Sequence, residues 1–473
     1  GDYSGTVYAL DAVTGKVRWT RKLGGPIDAS AAIDPAAAGG GAVYVPVATV
    51  GKPRLVALSL RSGGVRWSSA LTDQPTSSAY GSPTYWNGTV YMGTSGPNGD
   101  GSTARGAVVA LDAQTGHVRW RTFMVPTGHD GGPVWSTPAI DTETGRLYVG
   151  TGNAYHAPAA DTTDAIVSLD ASTGAITDHF QAVADDTFTG ENPAGPDADF
   201  GASPNLIESP AGARLVGEGA KDGLYYALDR ASMNLAWKTA LGPGSAAGGF
   251  VGSTAYDGAR IYGSNALTSQ VGALGRDGVV QWTDADGGSP DFSPVATAHG
   301  LLYSLSPSGT LTIREVKTGT VLRRISVGAP TFGGISTTGG AVYVAIGVGP
   351  PPPPAPQQDG TGSIVAFGDT SRSGARGSGS NTGGGGHGKA RMRVKVRPRR
   401  VLVGHRVRFR FRVTTTSGEP LPGARVRFAN RLVRTGRAGR ASIKVRFAHP
   451  GKRRVRVGAT GYRKRKTAVR VRR

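Results

Sequence analysis

The chain has 473 residues, no cysteine and a formal net charge of +22. The lack of cysteine excludes disulfides, thiolate nucleophiles and thiolate zinc sites, so packing must supply the stability. No apolar run approaches the roughly 18 residues that a membrane-spanning helix needs, so we expect no transmembrane segment.

The charge is divided unevenly along the chain. Residues 389–473 contain 30 Lys and Arg against a single acid, Glu419, whereas residues 1–388 carry a net charge of −7. Opposite charges on two parts of one chain predict two separate functions. The sequence opens at Gly1 within a strand-and-turn pattern. We therefore expect a missing N-terminal segment with a signal peptide, and a secreted or cell-envelope protein.

A phrase of the form ALDAVTGKVRW is repeated along the N-terminal part. It occupies residues 9–19, and close copies begin at residues 57, 110 and 227. A strand of small, β-branched and aromatic residues, a tight Asp-x-x-Thr-Gly turn and a second strand ending in Trp predict a β-hairpin. Recurrence about every 50 residues, with two further strands between copies, is typical of a β-propeller blade.

The number of repeats predicts the number of blades. The hairpin strand can be counted eight times, the last as SIVAF at residues 363–367, but complete inner-strand pairs occur only seven times. We therefore predict an all-β protein with an eight-bladed β-propeller over residues 1–368 whose first blade is incomplete at the N-terminus. The alternative is a seven-bladed ring closed by the N-terminal hairpin. We expect the Trp side chains to pack between adjacent blades.

The hairpin phrase and the central third of the chain resemble a known family. ALDAVTGKVRW resembles the blade motif of the PQQ-like, or quinoprotein, propellers. GGPVWSTPAID at 131–141, GTGN at 150–153, GPDADFGASP at 195–204 and AKDG at 220–223 are similar to the PQQ-dependent alcohol dehydrogenases, most closely the polyvinyl-alcohol dehydrogenase-like branch. The resemblance implies pyrroloquinoline quinone (PQQ) and calcium as cofactors, with a carboxylate that takes the proton of the alcohol.

The resemblance also implies a role for individual residues. Asp199 falls on the catalytic base and on a metal ligand, and Asn153 falls on an amide ligand of calcium beside the cofactor. Lys221 falls on the cation that contacts the quinone oxygens, Trp135 on the indole that stacks on the cofactor, and Arg105 on an arginine near the cofactor's carboxylates. Each residue also has a plain structural interpretation, as a core indole, a turn residue or a solvated loop acid.

One loop departs from the family pattern. Asn98 stands where the family commonly offers a glutamate ligand, and Asp100 is the only nearby carboxylate, so we expect Asp100 to complete the metal site. No CxxCH haem motif is present, so an enzyme would need an external electron acceptor. Two functions stay open: a secreted PQQ- and calcium-dependent alcohol or polyol dehydrogenase, and a non-catalytic binding or assembly scaffold without a cofactor.

The C-terminal part is predicted to be a separate module. Residues 369–389 have the Gly/Ser-rich composition of a flexible linker. Residues 390–473 alternate Val or Phe with Arg and resemble bacterial immunoglobulin-like domains, which implies a small basic β-sandwich. A face of guanidinium groups predicts salt-dependent binding of a polyanionic cell-wall or surface polymer. No helix or stacking-aromatic platform is evident, so we expect no sequence-specific binding of nucleic acid.

Overall fold

The structure is a computed structural model. It describes residues 1–96, 102–191, 193, 195–246, 248–285, 292–347, 362–368, 392–415, 420–421, 423–429, 431–458 and 465–472. The chain divides into two compact units, Gly1–Arg376 and Gly377–Arg473. No helix among the described residues is long and apolar enough to cross a membrane. The predicted linker at residues 369–389 lies outside the described residues, so the domain boundaries at 368 and 390 stay predictions.

The first unit is a β-propeller that contains six complete four-stranded antiparallel sheets. Within each sheet the strands follow chain order from one edge to the other. The first three sheets consist of β3 (Ala32–Asp34), β4 (Ala42–Val47), β5 (Arg54–Ser59), β6 (Val65–Ala70); β7 (Thr84–Trp86), β8 (Thr89–Thr94), β9 (Ala107–Asp112), β10 (Val118–Phe123); and β11 (Ala139–Asp141), β12 (Arg146–Gly150), β13 (Ala165–Asp170), β14 (Ile176–Gln181). The next three consist of β15 (Asn205–Glu208), β16 (Arg214–Gly219), β17 (Leu224–Asp229), β18 (Leu235–Ala240); β19 (Ala255–Tyr256), β20 (Arg260–Ser264), β21 (Gln270–Gly275), β22 (Val280–Ala285); and β23 (Ala296–Ala298), β24 (Leu301–Ser306), β25 (Thr310–Glu315), β26 (Val321–Ser326).

Two smaller sheets complete the first unit. A three-stranded sheet contains β27 (Ile335–Thr338), β28 (Ala341–Ile346) and β29 (Ser363–Gly368), and a two-stranded sheet contains β1 (Thr6–Leu10) and β2 (Val17–Lys22). The short first strand of each larger sheet contacts that of the next sheet, from β3 through to β27. These strands therefore form the inner ring of the propeller.

The N-terminal hairpin is a blade of its own. Among the described residues β1 pairs only with β2 and does not join the β27–β29 sheet. The hairpin contacts sheets on both sides, because Trp19 Nε1 donates to the Leu60 carbonyl and Tyr343 Oη donates to the Ala12 carbonyl. The structure thus confirms a propeller of eight sheets with an incomplete first blade.

The repeated Trp residues join neighbouring blades, as the sequence predicts. Trp67 Nε1 donates to the Ala113 carbonyl of the next blade over 3.1 Å, and Trp120 Nε1 donates to the Ala171 carbonyl over 3.2 Å. Each indole also lies against the turn glycine of that next hairpin: a Cβ built on Gly174 would stand 2.5 Å from Trp120 Cδ2. The repeated motif therefore forms a joint between blades, in which the Trp side chain of one copy packs against the turn glycine of the next copy.

The second unit consists of two sheets that enclose one apolar core. The strands are β30 (Met392–Arg397), β31 (Arg400–Leu402), β32 (Arg406–Thr415), β33 (Arg425–Phe428), β34 (Arg431–Arg434), β35 (Arg440–Arg446), β36 (Gly451–Gly458) and β37 (Arg465–Arg472). The sheets have the strand orders β30-β32-β35 and β31-β37-β36-β33-β34. Phe409, Phe411 and Phe428 form the buried centre between them. The immunoglobulin-like topology stays a prediction.

Candidate active site

Four of the predicted site residues lie on loops next to the inner strands of neighbouring blades. Trp135 precedes β11, Asn153 follows β12, Asp199 precedes β15, and Lys221 lies in the turn between β16 and β17. The structure brings them together. Asp199 accepts hydrogen bonds from the Asn153 backbone N–H and from Lys221 Nζ, each over 2.8 Å, and Lys221 Nζ lies 5.6 Å from the centroid of the Trp135 ring.

Asp199 is held by the backbones of two blades. Its carboxylate is 9% exposed, and its main-chain carbonyl accepts the Lys221 N–H over 2.9 Å. The next residue, Phe200, donates its N–H to the Thr151 carbonyl. A Cβ at Gly152 would lie 2.3 Å from Asp199 Oδ1, so only glycine permits this approach. The carboxylate position is thus fixed by the packing of its loop.

The orientation of the Asn153 amide is also fixed. The side chain is buried, and Nδ2 donates to the carbonyl oxygens of Ala154 and Phe188, each over 2.6 Å. Both N–H groups of the amide are used in this way, so the nitrogen cannot exchange places with the oxygen. Oδ1 is therefore the atom that Asn153 can offer to a cation or a donor.

Lys221 is a partly buried cation, with 15% of its side chain exposed, between two carboxylates. Its Nζ lies 2.8 Å from Asp197 Oδ1 as well as 2.8 Å from Asp199 Oδ2. Burial alone would lower the pKa of Lys221, but the charges of Asp199 and Asp197 outweigh it, and the pKa is raised. Burial and the neighbouring Asp199 raise the pKa of Asp197 to about 7, although Lys221 opposes the shift. Lys221 therefore keeps its charge throughout the physiological pH range.

Two further carboxylates lie near this pair, and the sequence analysis missed both. Asp164 is fully buried and neither side-chain oxygen has a hydrogen-bond partner among the described residues. Burial, followed by the charges of Asp199, Asp186 and Asp197, raises its pKa well above the usual range. Asp186 is also buried and accepts the N–H groups of Phe188 and Ala198. The signal in the sequence was an acid, Asp164, directly before the largely buried strand β13.

This cluster has more acids than cations. Asp164, Asp186, Asp197 and Asp199 interact electrostatically, and Lys221 is the cation that the structure places among them. Carboxylate oxygens are ligands that hard cations prefer, and the two oxygens of Asp164 have no hydrogen-bond partner among the described residues. Yet no group of three or more His, Cys, Asp or Glu within the described ranges is close enough to hold a metal ion. Asn153 and Asp199 could thus supply only part of a calcium shell.

The structure does not bring Arg105 into this cluster. Its guanidinium donates to the Val125 carbonyl and stacks on Phe123, with Cζ 4.1 Å from the ring centroid. It lines a separate open groove of about 600 Å³ that also contains Arg121 and Asp161. These contacts do not support a role of Arg105 at the cofactor, which stays a prediction. Asp100 and Asn98 lie outside the described residues, so the third metal ligand is also untested.

Trp135 offers a surface for a planar group. The indole is half-buried, and on one side it lies against Gly201, where a Cβ would stand 2.1 Å from Trp135 Cη2. Glycine at 201 therefore lets the backbone approach the ring closely. The ammonium of Lys221 near the ring and the oxygens of Asn153 and Asp199 give this corner the donor set that a quinone with a bound cation requires.

Comparison with known proteins places the chain in a family. A family model described as "Outer membrane protein assembly factor BamB", built on PQQ-like repeats, matches residues 1–191 and 164–338. The chain belongs to this family of PQQ-like β-propellers. The assignment agrees with the blade motif and with the sheets of the first unit.

Individual relatives include dehydrogenases. The chain is 30% identical over 419 residues to a polyvinylalcohol dehydrogenase of Sphingopyxis sp. (strain 113P3), an alignment that covers 73% of this chain and 64% of that protein. A polyvinylalcohol dehydrogenase of Pseudomonas sp. is 31% identical over 59% of this chain and 50% of its own length. The chain thus spans between half and two thirds of the length of these relatives.

A solved structure confirms the fold. The quinohemoprotein alcohol dehydrogenase ADHIIG of Pseudomonas putida HK5 superposes with a TM-score of 0.62 at 19% identity, over 74% of this chain and 68% of that one. At this level of identity the similarity shows the propeller and nothing finer.

Proposed function

We propose that the propeller is a PQQ- and calcium-dependent dehydrogenase that oxidises an alcohol or a polyol. The observation that carries the proposal is the contact of Asn153, Asp199 and Lys221 beside Trp135. The similarity to polyvinylalcohol dehydrogenases supports the reaction class. Quinone oxidation of an alcohol needs a carboxylate base, a cation at the quinone oxygens and a flat surface for the ring, and this corner of the propeller offers all three.

Four residues of the site would hold the two cofactors. Trp135 would stack on the ring system, Lys221 would donate to its oxygens, and Asn153 Oδ1 with Asp199 would bind calcium. When bound, PQQ supplies an acceptor for two electrons and calcium supplies a Lewis acid. The remaining calcium ligands would come from Asp100, water or the cofactor. An external acceptor would remove the electrons.

Asp199 is suited to accept the hydroxyl proton of the substrate. The ammonium of Lys221 lies 2.8 Å from Asp199 Oδ2 and holds the carboxylate in one orientation. Each carboxylate oxygen accepts up to two hydrogen bonds, so Oδ1 and Oδ2 retain capacity after the bonds from Asn153 and Lys221. The fixed backbone around Asp199 holds this acceptor in one position, which lowers the reorganisation that proton transfer requires.

The test is a dye-linked oxidation assay on the full chain incubated with PQQ and calcium, with secondary alcohols and poly(vinyl alcohol) as substrates. We expect dye reduction that Asp199→Asn lowers by about 10²-fold or more, since a positioned acid or base contributes about 10²–10⁴-fold. Asp277→Asn, the same change in an exposed hairpin turn, serves as the control and should keep full activity. If Asp199→Asn retained wild-type activity, Asp199 would not be the base.

The second candidate is a scaffold without a cofactor. It is favoured by the engagement of Arg105 with Val125 and Phe123 and by the incomplete metal shell among the described residues. The family model that matches the chain carries the description of an outer membrane protein assembly factor, which supports a role in assembly. Failure of the chain to bind PQQ would select this candidate.

We further propose a location and an attachment. The protein would act outside the cytoplasm, in the envelope or the medium, where the second unit would hold the propeller on a polyanionic cell-wall or surface polymer. The net charge of +29 over residues 389–473 supports this proposal. Washing intact cells with concentrated salt should release the protein, because screening weakens attachment by charge. Retention after such a wash would argue against it.

A further inference from the structure

The three-stranded sheet of the second unit exposes a continuous cationic surface. Side chains on its outer face alternate with the buried Val, Phe and Ile of β30, β32 and β35. We name this surface face A; its exposed cations are Arg393, Lys395, Arg397, Arg406, Arg408, Arg410, Arg412, Arg440, Lys444 and Arg446. Successive cations on one strand are about 6.6 Å apart, twice the rise per residue.

The five-stranded sheet exposes a second cationic surface of the same kind. We name it face B; its exposed cations are Arg400, Arg425, Arg427, Arg434, Lys452, Arg454, Arg456, Arg470 and Arg472. The buried partners of these residues, such as Val455 and Val457, point into the core. The unit is thus cationic on both outer faces.

Many of these cations stand directly opposite one another. On face A, Arg397 pairs with Arg410 across β30 and β32, and Arg408 pairs with Lys444 across β32 and β35. On face B, Arg427 pairs with Arg456. Like charges at directly opposed positions repel and destabilise a sheet. Residues 389–473 contain no acid other than Glu419, so bound anions would relieve this repulsion.

We propose that the second unit binds a linear phosphodiester polymer of the cell wall, a polyol phosphate chain, through face A and face B together. The inference deepens the attachment proposed above and rests on it. One phosphate has two free oxygens, which can bridge the two guanidiniums of an opposed pair. Of the 19 cations on the two faces, 16 are Arg, the side chain whose planar fork matches phosphate.

The distribution of charge argues against other polyanions. A membrane surface is a plane and would meet only one face, whereas a flexible polymer can reach both. Single-stranded nucleic acid is normally held by exposed aromatic side chains on which bases stack. Phe409, Phe411 and Phe428 are instead buried in the core, and Phe447 packs partly buried against it. None of the described residues on the outer sides of the two sheets is aromatic.

The experiment measures binding of the full chain to immobilised poly(glycerol phosphate) over a series of NaCl concentrations around about 0.15 M. Three variants each change five cations to Gln. The face A variant changes Lys395, Arg397, Arg408, Arg410 and Arg412. The face B variant changes Arg425, Arg427, Lys452, Arg454 and Arg456. The control variant changes five exposed cations of the propeller: Lys16, Lys52, Arg61, Lys317 and Arg323.

We expect the face A and face B variants each to weaken binding about tenfold or more, and the control to bind as the wild type does. The slope of log K against log salt should fall by up to about 3.5 for each face, since each neutralised phosphate on a flexible strand contributes about 0.7. Both face variants should also unfold at temperatures no lower than the wild type, because they remove repulsion. A normal unfolding profile shows that any loss of binding is not a loss of fold.

Several results would overturn the inference. One is a loss confined to a single face, as a planar membrane would produce. Another is equal weakening by the control variant. Tighter binding at matched charge to duplex DNA, to vesicles with anionic lipid or to a polycarboxylate such as polyglutamate would also exclude the phosphodiester polymer. Dye reduction should be unchanged in both face variants, so failure of this inference is distinguishable from failure of the proposed catalysis.

Discussion

Among the described residues, Lys221 supplies the ammonium that lies within the group of four acids. Its removal should destabilise the propeller. The change to Met keeps the volume but leaves Asp197 and Asp199 buried without their cation. Breaking a buried ion pair by removing one partner costs about 3–5 kcal/mol. We expect Lys221→Met to lower the free energy of unfolding of the propeller by about that amount in chemical denaturation, and Lys221→Arg to lower it less. Equal stability of Lys221→Met and wild type would contradict the arrangement.

Glu218, on β16, makes the stability of the propeller depend on pH. The side chain is fully buried, its two oxygens lack a partner among the described residues, and burial raises its pKa well above the usual value. The folded state therefore binds a proton more tightly than the unfolded state. Protonated Glu218 contributes fully to the free energy of unfolding at a pH below the pKa that this residue has in the unfolded state. As the pH rises from there toward its pKa in the folded state, the free energy of unfolding falls by about 1.4 kcal/mol per pH unit.

The change Glu218→Gln tests that account. The amide keeps the shape and cannot ionise, so the variant should lose less stability than the wild type as the pH rises from the ordinary glutamate range, about 4.3, to neutrality. Denaturant unfolding at several pH values measures the difference. Parallel pH profiles for the two proteins would mean that Glu218 is ionised in the folded state and has a partner.

At the residue scale the sequence named four residues that the structure brings together, and it missed the acids that lie around them. Asn153, Asp199, Lys221 and Trp135 could be named because the family motif contains them in order. Asp164 could not, because its importance comes from the three-dimensional approach of loops that are distant in sequence. The contacts of Arg105 could not be predicted for the same reason. Nothing in the local sequence shows that Val125 and Phe123 contact its guanidinium.

At the scale of single elements, the joint between blades provides an internal comparison. Gly15 and Gly174 occupy the same turn of the repeat with similar positive φ values, 68° and 77°. A Cβ at Gly15 would meet nothing within 4 Å, whereas a Cβ at Gly174 would stand 2.5 Å from Trp120. The left-handed backbone penalises Ala at both positions by about 1–2 kcal/mol.

Only Gly174→Ala should lose further stability, because its new Cβ would clash with the Trp120 indole. We expect an additional loss of about 1–3 kcal/mol, typical of overpacking, relative to Gly15→Ala. Thermal or denaturant unfolding of the two variants measures this difference directly. If both variants lost the same stability, the glycine would be needed for the turn alone and not for the joint.

The elements themselves were the most predictable part of the structure. The hairpin phrase specifies strand, turn and strand locally, and its repetition determines the blade. The paired antiparallel strands and the Trp joints follow from that phrase. The pairing of β31 with β37 is different, because it is parallel and joins distant parts of the second unit. Alternation of Val and Arg does not encode which strands become neighbours.

At the scale of the whole molecule, the two units should respond differently to salt. Repulsion among the cations of residues 389–473 destabilises the second unit, and salt screens it. We expect calorimetry to show two transitions, of which the one from the second unit rises with NaCl. Each kcal/mol of relieved repulsion should raise its midpoint by about 4–8 °C, as for other domains of this size. The transition of the propeller, whose net charge is −7, should move less. A single transition that salt leaves unchanged would contradict two separate units.

The central claim is that the propeller is built to hold PQQ with calcium, and one titration tests it most directly. The full chain is titrated with PQQ in the presence and absence of calcium while the tryptophan fluorescence is recorded, because Trp135 would stack on the ring. We expect quenching that saturates at one PQQ per chain, requires calcium and is lost in Asn153→Ala. Asn234→Ala, an exposed turn residue, should behave as the wild type. The absence of saturable quenching, with or without calcium, would contradict the claim and leave the propeller as a scaffold.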